Sequence, residues 1–141
     1  MNKPARNKLR AAVIGVGYLG RFHAQKFQAN PDVDLIGVVD ADSCRAEEIA
    51  AEVGTRPFTD YREVLPLVDM VSIVVPTRSH FSVASEAFNA GCHALVEKPV
   101  TQTVSEAQQL IDLAAARGLV FQVGHLERFN PAVLMLSLIH I

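Results

Sequence analysis

Three glycines near the start of the chain have the spacing of a phosphate-binding turn. Gly15, Gly17 and Gly20 follow a short apolar run and open a helical pattern. Gly15 allows a tight turn, Gly17 lets the backbone approach a ligand, and Gly20 lets the helix pack closely on the strand. Because the free N–H groups of a helix N-terminus attract phosphate, this turn, which includes Tyr18 and Leu19, is predicted to bind the pyrophosphate of a dinucleotide.

An acidic residue stands where the ribose of such a ligand would be bound. Asp40 closes the next predicted strand, 20 positions after Gly20. A carboxylate there accepts hydrogen bonds from the ribose hydroxyls and repels a 2′-phosphate, which predicts NAD rather than NADP as the cofactor. Asp42 adds a second negative charge, which Arg45 is expected to offset in part. Two alternatives remain at this point: a plain strand–helix turn with Asp40 as a cap, and a methyltransferase that binds S-adenosylmethionine.

Three later segments also place polar residues at predicted strand ends. They are Val75–His80, Glu97–Pro99 and Gly124–Pro131. Ligands of open α/β sheets bind at the carboxyl ends of the strands. All three segments are therefore expected to line the same crevice as the glycine turn.

Lys98 is the candidate for proton transfer in this crevice. A secondary alcohol must lose a proton as its hydride leaves, and a lysine amine beside a nicotinamide ring can orient the hydroxyl and help to transfer that proton. The alternative is a surface lysine that pairs with Glu97.

The glycine turn, Pro76-Thr77 with His80, Glu97-Lys98-Pro99 and the segment Gly124–Pro131 together resemble the Gfo/Idh/MocA oxidoreductases, which include glucose–fructose oxidoreductase and inositol dehydrogenase. The resemblance extends from about Lys8 to Val133. It implies a two-domain enzyme that oxidises a hydroxyl of a sugar or cyclitol with NAD(P).

The resemblance also implies roles for individual residues. Lys98 matches the catalytic lysine of the family. The implied cofactor-lining residues are Pro76, Thr77, His80, Glu97, Lys98 and Pro99. The segment Arg128–Pro131 matches the crossing into the substrate domain, so His125, Arg128 and Asn130 are expected near the substrate.

The elements that must position these residues follow from apolar periodicity. Predicted strands are Leu9–Ile14, Asp34–Val39, Val71–Val75, Ala94–Glu97 and Leu119–Val123, with Arg56–Phe58 as a short edge strand. Predicted helices are Leu19–Ala29, Ser43–Val53, Ser79–Ala90 and Ser105–Arg117, with a short turn at Tyr61–Leu65. Apolar strands that alternate with helices predict an α/β fold with a doubly wound parallel sheet, the Rossmann NAD(P)-binding fold.

Glycines and potential capping residues predict where the helices begin and end. Gly54, Gly91 and Gly118 stand at predicted helix C-termini, where a left-handed residue is common. Ser43 and Thr103 are expected to cap helix N-termini, and Thr103 with Glu106 fits a capping box.

Composition excludes several classes of protein. The chain has 141 residues and is 50% hydrophobic and 20% charged, which is typical of a globular domain rather than a disordered segment. Its net charge of −2 gives no basic field for nucleic acid, and no apolar run is long enough to span a membrane. Cys44 and Cys92 are too few for a disulfide framework or a metal site, and we expect both to be inert. His23 and His93 are expected to be structural, and the protein to be cytoplasmic.

The chain is expected to contain residues 1–124 as the dinucleotide-binding domain and residues 125–141 as the crossing into a second, α+β substrate domain that is missing. Because the tail is apolar nearly all round, the sequence is expected to come from a truncated gene model; the alternative is a genuine short protein whose tail is a dimer contact. The full-length protein is expected to form a homo-oligomer.

The predicted function is an NAD(P)-dependent oxidoreductase that transfers a hydride between a sugar or nucleotide-sugar hydroxyl carbon and nicotinamide. The string Gly124–Pro131 favours UDP-N-acetylglucosamine-type substrates. One alternative is a free-standing NAD-binding module that senses redox state or regulates a partner. Another is an imine or biliverdin-type reductase. The chain by itself is expected to bind NAD weakly and to turn nothing over.

Overall fold

A computed structural model describes residues 7–124 of the chain as a single parallel sheet with helices on both faces. The strands are β1 (Leu9–Ile14), β2 (Val33–Val39), β3 (Arg56–Phe58), β4 (Met70–Ile73), β5 (His93–Glu97) and β6 (Phe121–Gly124). The helices are α1 (Tyr18–Ala29), α2 (Ser43–Val53), α3 (Tyr61–Val64), α4 (His80–Asn89) and α5 (Val104–Ala116). Short 3₁₀ turns cover Leu65–Leu67 and Thr77–Ser79.

The strand order is β3-β2-β1-β4-β5-β6, with every neighbouring pair parallel. This is the order of the dinucleotide-binding α/β fold, with its reversal between β1 and β4. The predicted fold class is thus confirmed. The edge position of β3 is confirmed as well, and it suits Pro57, which cannot donate a ladder hydrogen bond.

Alternate residues of the central strand β1 pack into two separate cores, as the side-chain period of 2 requires. Ala12 and Ile14 belong to the larger cluster, which includes Phe88 of α4. Val13 belongs to the smaller cluster, with Ala24 of α1 and other residues of α2 and β2. Helices therefore bury both faces of β1, and its uniformly apolar sequence is explained.

The helix ends agree in part with the sequence analysis. Gly54, Gly91 and Gly118 have positive φ values of 70°, 81° and 65°, which confirms their predicted left-handed conformation. Thr103 caps α5 as predicted, because its hydroxyl accepts a hydrogen bond from the backbone N–H of Glu106 at 3.2 Å.

Two predicted caps differ in detail. The prediction that Ser43 caps α2 is wrong, since the carboxylate of Asp42 accepts hydrogen bonds from the backbone N–H groups of Cys44 and Arg45. The carboxylate of Glu106 accepts from the backbone N–H of Gln102 at 3.2 Å. Only one of the two bonds of the expected capping box therefore has its usual partner.

Two boundaries beside the crevice also differ. β4 ends at Ile73, two residues before the end of the apolar run, and α4 begins at His80 after a 3₁₀ turn. Val74 and Val75 follow the strand and line the crevice, although the backbone N–H of Val74 still donates to the carbonyl of Ile14 at 2.8 Å. Within residues 7–124, no helix is long and apolar enough to cross a membrane.

Candidate cofactor-binding site

The parallel register brings the predicted site segments to one edge of the sheet. Ile14 pairs with Val39 on one side and with Ile73 on the other, and Ile73 pairs with Val96. Glu97 in turn pairs with Gly124 of β6. The glycine turn, Asp40, the segment after β4 and Glu97–Pro99 therefore all emerge from the carboxyl edge.

Two of the turn glycines are required by the packing of the protein itself. Gly15 has a φ of +91°, and a Cβ added there would lie 2.5 Å from the carbonyl oxygen of Val74. A Cβ added at Gly20 would overlap the carbonyl oxygen of Gly15. The turn therefore needs glycine at both positions to bring α1 close to β1 and β4.

Gly17 differs from these two glycines. Its φ of −66° is accessible to any residue, and a Cβ added to it would have no atom within 4 Å. Gly17 is the N-cap of α1, and its carbonyl accepts the first helical hydrogen bond from the backbone N–H of Arg21 at 3.1 Å. The open space beside it thus lies at the positive end of a 12-residue helix.

Asp40 is half-buried and contacts the turn directly. One carboxylate oxygen accepts a hydrogen bond from the backbone N–H of Val16 at 3.1 Å, and the other accepts from that of Asp42 at 3.0 Å. The carboxylate therefore helps to hold the glycine turn against the end of β2.

Arg45 holds the same turn from its other side. Its Nε donates to the carbonyl of Val16 at 2.7 Å, and its Nη2 donates to the carbonyl of Gly17 at 3.3 Å. A third contact joins its Nη1 to the carboxylate of Glu48 at 3.2 Å. The guanidinium thus lies on the glycine turn, and its expected offset of the charges of Asp40 and Asp42 stays a prediction.

A cleft of about 640 Å³ opens between the ends of β1, β2 and β4. It is lined by four residues predicted from the sequence: Gly15, Gly17, Asp40 and Pro76. Val75, Arg78 and Ser79 also line it, as expected for the predicted segment Val75–His80, whereas Thr59, Asp60, Tyr61 and Arg62 were not predicted to do so. The segment Thr59–Arg62 follows β3, so the rule that ligands bind at strand ends could have found it.

Tyr61 and Arg62 share one carboxylate at the rim of this cleft. The hydroxyl of Tyr61 donates to Glu86 at 2.8 Å, and Nε of Arg62 donates to the other oxygen of Glu86 at 2.8 Å. Burial and the adjacent Glu86 carboxylate raise the pKa of Tyr61 to about 12. This corner of the cleft is therefore held by α3 and α4 together.

His80 lies beneath the crevice loops rather than at their surface. Its side chain is 1% exposed. Nδ1 lies 2.9 Å from the carbonyl oxygen of Pro99 and 3.2 Å from that of Val100. Nε2 lies 2.8 Å from the carbonyl oxygen of Val75. A contact between His80 and the cofactor remains a prediction, and the contacts of the ring are with the loops.

Glu97 belongs to a buried polar group that the sequence analysis did not foresee. Its carboxylate is almost fully buried, and one oxygen accepts from the backbone N–H of Lys98 at 3.3 Å. The other oxygen lies 3.0 Å from Nε2 of His23, but off the line of a good hydrogen bond, so neither atom has a well-aligned partner. Nδ1 of His23 and the hydroxyl of Ser72 lie 2.7 Å apart. A Cβ added at Gly124 would lie 2.6 Å from the Glu97 carboxylate, so a larger residue there would force this side chain to move.

The remaining predicted cofactor and catalytic residues lie on the surface or at partial depth. Lys98, Pro99, Tyr18 and Leu19 are exposed, and Thr77 is half-buried. Tyr18, at 82% exposure, packs its ring edge against Phe22. The predicted substrate residues His125, Arg128 and Asn130 lie outside the described residues, as does the predicted crossing at 125–141.

The two cysteines and His93 were expected to have no role in the site. Cys92 is buried, and that burial raises the pKa of its thiol, whereas Cys44 is exposed. His93, at the start of β5, accepts from the backbone N–H of Val120 at 3.0 Å, which agrees with a structural role. In the part of the chain that the structure describes, no three His, Cys, Asp or Glu residues are grouped to hold a metal ion.

The fold and the cleft together define a dinucleotide-binding domain of the Rossmann type. Residues 9–125 match the model of the oxidoreductase family with an NAD-binding Rossmann fold, Gfo/Idh/MocA. The chain belongs to this family.

Two curated relatives illustrate the match. The chain is 50% identical over 125 residues to UDP-N-acetylglucosamine 3-dehydrogenase of Acidithiobacillus ferrooxidans. The aligned region covers 89% of this chain and 39% of that enzyme. It is 36% identical over 130 residues to scyllo-inositol 2-dehydrogenase (NAD(+)) of Bacillus subtilis, covering 89% of this chain and 38% of that enzyme. The chain thus spans about two fifths of the length of these relatives.

Solved structures give the same result. A structure of the Acidithiobacillus ferrooxidans enzyme superimposes with a TM-score of 0.86 at 48% identity, covering 94% of this chain and 43% of that one. A structure of GenD2 from gentamicin A biosynthesis in complex with NAD superimposes with a TM-score of 0.82 at 34% identity, covering 88% of this chain and 36% of that one.

Proposed function

We propose that this domain binds NAD across the carboxyl edge of its sheet, with the pyrophosphate against the turn from Gly15 to Gly20. The observation that carries the proposal is the open space beside Gly17. Packing explains the glycines at positions 15 and 20, but no protein atom in the described residues requires one at position 17. A ligand that approaches the backbone of the turn explains it, and the N-terminus of α1 suits a phosphate.

Asp40 supports NAD rather than NADP within this proposal. Its carboxylate lines the cleft at the end of β2, held in place by two backbone N–H groups. In that position it can accept hydrogen bonds from ribose hydroxyls with its remaining lone pairs. A 2′-phosphate would bring a second negative charge against it, which disfavours NADP.

For the whole protein we propose oxidation of a sugar or nucleotide-sugar hydroxyl, with Lys98 as the residue that handles the proton. Bound NAD supplies the acceptor for the hydride. Lys98 follows β5 at the same edge as the glycine turn, and its amine is exposed there. The amine orients the substrate hydroxyl and helps to take up its proton as the carbon–hydrogen bond breaks. Pro76, Thr77 and the segment Glu97–Pro99 shape the nicotinamide side of the crevice.

The relatives support the proposed substrate class. Identity of 50% to a UDP-N-acetylglucosamine 3-dehydrogenase favours a nucleotide sugar over a free cyclitol. We propose further that residues 125–141 lead into a substrate domain, with His125, Arg128 and Asn130 near the substrate. The cytoplasm and a homo-oligomer are the proposed location and state of the full-length protein.

A calorimetric titration with NAD tests the cofactor site through Gly17. Gly17→Val should abolish binding because its branched side chain fills the space proposed for the pyrophosphate, while the melting temperature stays near that of the unmodified chain.

Gly118→Ala is the matched control. Its left-handed φ of +65° makes alanine strained, so it should lower stability by about 1 kcal/mol. It lies at the end of α5, away from the cleft, and NAD affinity should be unchanged. Unaltered affinity in Gly17→Val would show that the phosphates bind elsewhere.

A further inference from the structure

The ring of His80 has an unusual set of partners for a buried histidine. Its two nitrogens face three backbone carbonyl oxygens, at distances of 2.8, 2.9 and 3.2 Å. One oxygen belongs to Val75, in the loop after β4. The other two belong to Pro99 and Val100, in the loop after β5. The ring therefore lies between the two loops that flank the proposed nicotinamide site.

The chemistry of these partners constrains the protons on the ring. A carbonyl oxygen can only accept a hydrogen bond, and a neutral imidazole has one donor nitrogen and one acceptor nitrogen. In either neutral tautomer, one ring nitrogen would direct its lone pair at a carbonyl oxygen 2.8 or 2.9 Å away. All three contacts are hydrogen bonds only if both nitrogens carry a proton. Hydrogen bonds from such a ring are charge-assisted, which offsets the cost of burying the charge.

We propose that His80 is a positioning residue, held as a doubly protonated imidazolium that joins the loop of Val75 to the loop of Lys98, Pro99 and Val100. The inference rests on the proposed function, because it gives this junction the task of fixing Lys98 relative to the cofactor. In this role His80 acts through the two loops, because its ring nitrogens face only their carbonyl oxygens. It orients three peptide groups, and the carbonyl of Pro99 is one residue away from the proposed proton-handling lysine.

The first test is the nitrogen-15 NMR spectrum of the imidazole of His80 in the unliganded 141-residue chain at neutral pH, assigned by comparison with His80→Phe. Both ring nitrogens should show a directly bonded proton. A spectrum in which one ring nitrogen is bare would overturn the proposal, whatever the chain does with NAD.

The second test measures the amide shifts that NAD induces in His80→Phe. Phenylalanine keeps a planar aromatic ring, although a larger one, and removes both donors. NAD should still shift the amides of Val16 and Gly17, whereas the shifts of Lys98 and Val100 should be lost or altered. NAD affinity should fall by about tenfold, roughly the effect of losing one hydrogen bond from a charged group.

His93→Phe is the matched control. It also removes a hydrogen bond of a histidine ring, the one that Val120 donates to His93, but this half-buried ring lies at the amino end of β5. It should leave the NAD-induced shifts of Lys98 and Val100 unchanged even if the melting temperature falls. Equal effects of the two variants, or intact Lys98 shifts in His80→Phe, would overturn the positioning role. If NAD causes no shifts in the unmodified chain, the proposed function is wrong, and the positioning role fails with it. The ring spectrum would still decide whether both nitrogens of His80 carry a proton.

Discussion

Replacement of Asp40 should affect both the cofactor preference and the stability of the glycine turn. Its carboxylate carries a negative charge in the cleft and also accepts hydrogen bonds from the backbone around the turn. Asp40→Ala removes the acceptors for the backbone N–H groups of Val16 and Asp42 as well as the negative charge. Asp40→Asn removes the charge and keeps one acceptor oxygen, so it retains one of the two backbone hydrogen bonds. Comparing the two variants distinguishes support of the turn from repulsion of a 2′-phosphate.

The expected size of the effect follows from Coulomb's law. Two unit charges 4 Å apart interact by about 4 kcal/mol at an effective dielectric constant of 20, and water at a half-exposed site reduces this value. We therefore expect the unmodified chain to prefer NAD over NADP by about 100-fold, equivalent to about 2.7 kcal/mol. Asp40→Asn should reduce the preference to within about tenfold. Asp40→Ala should do the same and, because it removes both acceptors, should destabilise the fold more than Asp40→Asn does, by about 1–3 kcal/mol relative to the unmodified chain.

Titration calorimetry with each cofactor measures the preference, and urea unfolding measures stability. Asp34→Asn is the matched control, because it removes one negative charge from the exposed opposite end of the same strand. It should leave the preference intact. Equal affinity of the unmodified chain for both cofactors, or an unchanged preference in Asp40→Asn, would refute the reasoning.

Two further predictions concern the framework around the site. In the folded state the pKa of Tyr61 is raised to about 12, whereas that of an unfolded tyrosine is near 10. The stability that this phenol contributes should therefore be complete below about pH 10 and lost as the pH rises through about 12. An absorbance titration of phenolate should show a late step that Tyr61→Phe removes and Glu86→Gln moves to lower pH. Phe88→Ala should destabilise the fold by about 3–5 kcal/mol in urea unfolding, because Phe88 is fully buried and its ring packs edge-on against Phe121 at 5.4 Å.

Each of these predictions has its own contrary result. A late phenolate step that persists in Tyr61→Phe would mean that another group titrates there. Phe22→Ala is the control for the core, since Phe22 is 41% exposed and its loss should cost far less. Equal losses of stability from the two phenylalanine variants would contradict the assignment of the larger core.

Local sequence signals predicted most of the fold because each depends on neighbouring residues. β1, α2 and β3 have the predicted bounds, and the glycines after the helices adopt the predicted conformation. β4 was predicted two residues too far, since Val74 and Val75 are as apolar as the strand itself. Their use in the crevice depends on contacts with the glycine turn that periodicity does not contain.

The polar groups beneath the site were harder to predict because their partners are distant in the chain. His23 and Ser72 are 49 positions apart, and each is a single polar residue in an apolar pattern. The carbonyl partners of His80 are backbone atoms, which no choice of residue type reveals. The motif spacing predicted the turn and Asp40, but not that Asp40 and Arg45 hold the turn in place.

The most direct test of the central claim is a map of the amide shifts that NAD causes in the proton–nitrogen spectrum of this chain. If NAD binds as proposed, the map should show a saturable change centred on five residues at the carboxyl edge of the sheet: Val16, Gly17, Ala41, Arg78 and Lys98. Leu9 and His93, at the amino edge, should change little. Shifts that cluster at the amino edge, or no saturable shifts at millimolar NAD, would contradict the central claim.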